Sequence, residues 1–224
     1  MPLAGCARAD ERQDARTVLF GSLDASSSSF VTLGAKHALE PVGTDGAVML
    51  GSLGYGGRFE RRQEWEGSPK LLRRHNVKAS LVAGWQWFDE WGVVAVFAGP
   101  ELDLEQREAA KAMPGPAVGL RVHGEVWARP SEGSLATLTV IAGTARGDVW
   151  SRASLGSRAF GAYLGPEAAL YADRTGYRKW SLGLHATEFT FVGLSLRLSA
   201  GWLYEERERR PGYYGALTLW TTLD

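Results

Sequence analysis

The chain has one cysteine, Cys6, among 224 residues, so no internal disulfide framework can brace it. It has no excess of either charge: 25 Lys and Arg are matched by 25 Asp and Glu. No basic patch points to nucleic acid, and no acidic block reads as a solvating tail. It also lacks the run of about eighteen apolar residues that a membrane helix needs. The four histidines, His37, His75, His123 and His185, are scattered without partners at ligand spacing. There is no phosphate-cradling glycine loop and no nucleophile-elbow pentapeptide. No metal or cofactor is therefore expected.

What the chain does have is alternation. Val77, Ala79, Leu81, Ala83, Trp85 and Trp87 share one parity and interleave with Asn76, Lys78, Ser80, Gly84 and Gln86. Val94, Val96, Ala98, Leu102 and Leu104 repeat the device against Gly99, Glu101 and Asp103. Val118, Leu120, Val122 and Val126 set it against Arg121, His123, Glu125 and Arg129. Later, Trp180, Leu182, Leu184 and Ala186 oppose Lys179, Ser181 and His185, and Leu194, Leu196, Leu198 and Trp202 oppose Ser195, Arg197 and Ser199. Side chains two apart lie on one face of a strand, whereas a helical period would scatter these charges around a cylinder. Runs of about ten such residues separated by turns are the pattern of a transmembrane β-barrel. The 28 glycines and 9 tryptophans fit it, glycine where strands bend and Trp at the membrane interfaces.

Turn clusters divide the chain into about twelve strands: 17–24, 29–39, 46–59, 75–88, 92–104, 116–129, 135–145, 149–159, 162–172, 177–187, 193–204 and 212–223. The spacing, roughly sixteen residues per strand and turn, exceeds the 8–12 or so of a soluble sandwich, which is the competing reading. The fold class expected is thus all-β, an antiparallel up-and-down transmembrane barrel over residues 16–224. With an even count and a periplasmic N-terminus, the charged connections Phe59 to Arg74 and Glu105 to Gly115 fall outside the cell, and the tight Asp89-Glu90-Trp91-Gly92 and Phe160-Gly161 turns fall inside. Gly99-Pro100-Glu101 returns as Gly165-Pro166-Glu167, each inside a strand. Proline cannot donate to a ladder, so a bulge or bend is expected at both.

Residues 1–15 read as the remnant of an export signal or a disordered tail. Leu3-Ala4-Gly5-Cys6 is lipobox-like, and Ala7-Arg8-Ala9 is a small-x-small cleavage site. A charged start and an apolar core are missing, so Met1 reads as internal to a longer precursor or as the start of a trimmed chain.

The wet face carries the chemistry. Its ionisable residues are Lys78, Glu101, Asp103, Arg121, His123, Glu125, Arg129, Arg152, Arg158, Glu167, Lys179, His185 and Arg197, with Trp127, Trp150, Tyr163 and Tyr171 as inward aromatics. These charges either pair across the lumen and close it, or line a path for a polar polymer. Sugar rings stack on aromatic faces while charged groups bond hydroxyls. Candidate contacts are Glu101, Arg121, His123, Glu125, Trp127, Trp150, Arg152, Tyr163, Glu167, Tyr171, His185 and Arg197. A barrel hydrolase is conceivable because His185 and Glu188 lie close; it would require a Ser or Asp within hydrogen-bond reach of His185 or His123. A generic porin-like or adhesin barrel is the third possibility.

Several segments resemble one family. Val18-Leu19-Phe20-Gly21-Ser22-Leu23-Asp24-Ala25, Ala83-Gly84-Trp85-Gln86, Phe97-Ala98-Gly99-Pro100-Glu101, the Gly119 to Trp127 strand GLRVHGEVW, Leu164-Gly165-Pro166-Glu167 and the closing Gly212 to Leu219 together are similar to the BcsS family of bacterial cellulose biosynthesis proteins. The resemblance runs from about residue 17 to the end. It implies a non-catalytic accessory of cellulose synthesis in Gram-negative bacteria, exported through the periplasm to the outer membrane, with no catalytic residues to carry over. The expected partners are outer-membrane lipid and either cellulose or other components of its secretion.

Overall fold

The computed structural model of the protein describes residues 15–41, 43–62, 70–107, 115–206 and 209–223. Residues 1–14 of the expected export-signal segment lie outside them. Twelve strands follow one another: β1 (Thr17–Ala25), β2 (Ser28–Ala38), β3 (Gly46–Arg62), β4 (Lys70–Asp89), β5 (Gly92–Arg107), β6 (Ala117–Ala128), β7 (Ser134–Gly143), β8 (Asp148–Ala159), β9 (Ala162–Asp173), β10 (Arg178–Phe191), β11 (Leu194–Glu205) and β12 (Arg210–Leu223). Each pairs antiparallel with its neighbours in sequence, and β12 returns to pair with β1, from Thr17 opposite Leu223 to Ala25 opposite Gly215. Closure gives every strand two partners, so neither terminal strand is left as a free edge.

The predicted parity holds around the wall. Leu81 is 54% exposed and Val122 52%, whereas Arg197 on the other face is 6% exposed. Outward aromatics gather near the two ends, as expected of a membrane girdle. Trp180, Trp202 and Tyr204 pack together, with Trp180 and Trp202 centroids 5.2 Å apart. Trp85, Trp87 and Trp91 stand exposed toward the opposite end.

Both chain ends of the barrel lie at one rim, the terminal end, with residues 39–41 and 43–45 and the connections 90–91, 129–133, 160–161 and 192–193. The other rim, the loop end, holds 26–27, 144–147, 174–177 and the ends of the strands joined by 63–69, 108–116 and 206–209. Two of the expected connections are largely strand. β3 and β4 stay paired as far as Arg62 opposite Lys70, and β5 runs on to Arg107. The charged sequence there ends the amphipathic pattern but not the ladder, because backbone hydrogen bonds need no apolar face beyond the lipid. What remains of those connections, 63–69 and 108–114, lies outside the described residues.

The Gly-Pro-Glu repeat, where a bulge or bend is expected, is a bend without a bulge. No register shift occurs at either copy: Ser80 opposite Glu101 and Ala83 opposite Ala98 keep one register, as do Ser154 opposite Glu167 and Ser157 opposite Leu164. The ladder is instead interrupted between these pairs, where the glycines let neighbouring backbone come close. A Cβ on Gly99 would lie 2.4 Å from the Leu81 carbonyl oxygen, and one on Gly165 1.9 Å from that of Leu155. Each repeat is therefore a tight corner, with proline outward and glutamate inward. The register shift in the β10–β11 ladder lies at Glu188, whose φ is 62°.

Candidate functional site: a braced lumen with an outward cleft

The lumen is filled in layers. Nearest the terminal end, Ala38, Val48, Leu50, Val82, Ala95 and Phe97 turn inward from β2 to β5 and form an apolar cluster, with Phe20 packed against it. These residues sit on the wet parity of their strands, which is why alternation alone did not reveal them. On the same level Trp127 of β6 meets Trp220 of β12, centroids 5.8 Å apart, although these strands face each other across the barrel.

Above this layer, charges bridge wall to wall. Lys36 of β2 lies 3.4 Å from Glu125 of β6 and over the Phe97 ring. His123 Nε2 is 3.1 Å from Glu125 Oε1, and its ring packs on Phe97 at 5.5 Å. Glu101 accepts a hydrogen bond of 2.9 Å from the Ala145 backbone N–H. Glu167 accepts from Arg197, from Ser199 Oγ at 3.0 Å and from Tyr214 Oη at 3.2 Å, while Arg197 also donates to Thr137 Oγ1 on β7 at 3.1 Å. Opposite charges so enclosed hold their geometry because each is also hydrogen-bonded.

At the loop end a second ionic network spans β4, β5 and the β7–β8 turn. Lys78 bonds Asp148 and stands 3.6 Å from Asp103. Arg146 lies 3.1 Å from Asp103 and pairs with Glu105, which also receives Arg74, and Asn76 donates to Asp103 at 2.8 Å. The opposite half of the mouth is open. There Asp24, Ser26, Trp150, Arg152, Glu167, Tyr171, Lys179, Ser181 and Tyr214 bound a cleft between β8–β10 and β12–β1. Arg152 lies over the Trp150 ring, 4.8 Å from its centroid, and 3.7 Å from Asp24.

Of the candidates read from the sequence, Trp150, Arg152, Glu167 and Tyr171 share this cleft. Glu101, Arg121, His123 and Glu125 belong to the packed β5–β6 wall, Trp127 to the seal below, and Tyr163, His185 and Arg197 are buried or largely buried beneath. Arg129 and Arg158 leave the lumen list: both are exposed at the terminal end. Asp24, Ser26, Ser181 and Tyr214 were not singled out; their inward parity was the available signal. The hydrolase arrangement does not form among the described residues. His185 Nδ1 faces Thr187 Oγ1 at 2.7 Å, and Glu188 is 2.5 Å from Arg129 instead. No group of three or more His, Cys, Asp or Glu suited to a metal occurs among the described residues.

A closed twelve-stranded wall, oily outside and charged within, is a transmembrane β-barrel. A solved structure agrees in fold. The translocator domain of the autotransporter NalP from Neisseria meningitidis is similar over 96% of this chain and 92% of its own, with TM-score 0.52 and 12% identity. The KdgM porin in complex with disordered oligogalacturonate is similar over 92% of this chain and 99% of its own, with TM-score 0.48 and 8% identity. No curated protein matches the chain significantly. The family described as "Cellulose biosynthesis protein BcsS" matches residues 18–223, nearly the whole chain, and the protein belongs to that family.

Proposed function

We propose that this barrel sits in the outer membrane with its terminal end in the periplasm, and serves cellulose biosynthesis as a non-catalytic accessory that docks or organises the glucan at the surface. Membership of the cellulose family supports the process, and the lipid-compatible belt with its aromatic ends supports the location. The observation that carries the mode of action is the braced lumen. Apolar packing, the Trp127–Trp220 contact and the cross-wall ion pairs stack in series, so the wall holds a polymer at its mouth rather than threading one through its axis. The partners on this reading are outer-membrane lipid and cellulose or other cellulose-secretion components.

Deleting the gene and measuring extracellular cellulose and fibre structure tests the reading. A lower yield or disordered fibres, restored by the full-length gene, is the expected result; unchanged yield and fibre structure refute it. Fractionation with heat-modifiable gel mobility tests the location, and recovery as a detergent-free soluble monomer would overturn it.

A further inference from the structure

We infer that the loop-end cleft is a subsite for the end of a neutral β-linked glucan, with Trp150 and Tyr171 as its stacking wall; the identity of the sugar rests on the functional reading above.

The first argument is what each wall has left to offer. On β4–β6, Asp103, Glu101, Glu105 and Glu125 all have bonding partners within the protein. The unpaired atoms of that wall, such as Asn76 Oδ1 and Arg121 Nε, are buried out of a ligand's reach; the cleft wall is different. Lys179 Nζ, Tyr171 Oη and Trp150 Nε1 have no hydrogen-bond or ion-pair partner among the described residues, and Asp24 has only the 3.7 Å approach of Arg152. These are donors and acceptors held at an open surface by a rigid wall, the arrangement a polar ligand needs.

The second argument is shape. Trp150 and Tyr171 are directly opposite each other on β8 and β9, both inward. Tyr171 continues to Tyr177 at the rim, centroids 5.9 Å apart, with Arg58 over the Tyr177 ring. Aromatic faces thus run from the mouth down to the cleft floor. Flat apolar faces beside polar edges match a pyranose, which is apolar on its ring faces and hydroxylated around its rim.

Charge then selects the class. The cleft holds Asp24 and Glu167 against Arg152 and Lys179, two of each sign. A site so balanced offers little net attraction to a polyanion and many hydrogen bonds to hydroxyls. Depth selects the end. The free space within the cleft is about 60 Å³, room for on the order of four water molecules. Glu167 on its lining is tied to the buried Arg197, and through it to Thr137, which fill the lumen below. The cleft is a dead end sized for a terminal sugar unit, not a trough for a chain lying along it.

The experiment uses the full-length protein folded in detergent, titrated with cellohexaose and followed by calorimetry. Cellobiose, maltohexaose and trigalacturonate are the comparison ligands. Cellohexaose is expected to bind, with affinity levelling off after two or three sugar units. Trp150→Ala is expected to weaken it at least about fivefold, and Trp202→Ala, on the outer face, to leave it unchanged; heat-modifiable mobility verifies that each variant is folded. Tyr171→Phe serves as a second, conservative variant and is expected to weaken binding by removing the free hydroxyl. No binding by the wild type, unchanged affinity in both cleft variants, or preference for trigalacturonate or maltohexaose overturns the inference. Affinity that keeps climbing with chain length overturns the end-on mode. A gene deletion that lowers cellulose while Trp150→Ala complements it fully would leave the accessory role standing and remove the subsite.

Discussion

Replacing Glu167 by Gln is the sharpest test of how the lumen is held. The amide keeps the size of the carboxyl but not its charge, so the backbone corner at Gly165-Pro166 is untouched. Glu167 is 4% exposed and Arg197 6%, and three donors converge on the carboxylate. Breaking one partner of a buried pair strands the other charge in a poorly solvated site, a loss of about 3–5 kcal/mol. An exposed pair supplies the contrast. Arg178 and Glu206 lie 3.9 Å apart at the loop-end rim, and Glu206→Gln should cost no more than about 1 kcal/mol. Urea unfolding of the lipid-reconstituted protein, followed by Trp fluorescence, measures both. The double variant Glu167→Gln, Arg197→Met should recover much of the loss, because it removes the stranded guanidinium. If Glu167→Gln were no worse than Glu206→Gln, the pair would be effectively water-solvated and the bracing argument would be wrong.

Three further outcomes follow from the same geometry. Leu184→Arg, at the middle of β10 on the outer face, should destabilise the barrel by about 2–4 kcal/mol, as a cation does near mid-membrane; the same urea titration checks it, and a neutral effect would place Leu184 away from lipid. Gly54→Ala places a Cβ 2.6 Å from the Phe30 ring and should cost about 1–3 kcal/mol through overpacking, but little in a Phe30→Ala background, which a double-mutant cycle reads directly. In planar bilayers the wild type should give no steady ohmic current, whereas Phe97→Ala combined with Trp127→Ala should raise leak; a conducting wild type would contradict the seal.

The fold was largely legible because a half-lipid, half-water wall imposes a period of two on every strand, and that period survives in the chain from Thr17 to Leu223. Strand starts at 46, 92 and 162 coincide with those observed, since turn residues stand immediately before them. The site was less legible. Parity tells which residues face inward but not which meet across the lumen: nothing local links Lys36 to Glu125, 89 positions on, or Trp127 to Trp220. Those contacts depend on barrel diameter and shear, which closure fixes globally. The apolar seal had a signal that alternation hides. Val48, Leu50, Val82 and Phe97 interrupt the polar phase of three adjacent strands, and apolar residues on the wet parity mark where a lumen is filled.

That mismatch between the two phases has a consequence for how the molecule works. A lumen built only to be stable would satisfy its polar groups everywhere, since each buried orphan costs about 1–3 kcal/mol. Here satisfaction is uneven: the β4–β6 carboxylates are all engaged and the wall's unpaired atoms, such as Asn76 Oδ1 and Arg121 Nε, are shut away from water, while across the mouth Lys179, Tyr171 and Trp150 keep donors with no partner among the described residues at a solvent-facing surface where water makes them inexpensive to hold. A rigid, filled barrel below such a surface does not bend to admit a ligand, so affinity at the mouth costs little ordering of the protein. The seal and the cleft are then one design: bracing the lumen makes the cleft floor stiff, and loosening it with Arg197→Met, beneath the cleft rather than on its lining, should weaken sugar binding at the cleft even though Trp150 and Tyr171 remain in place.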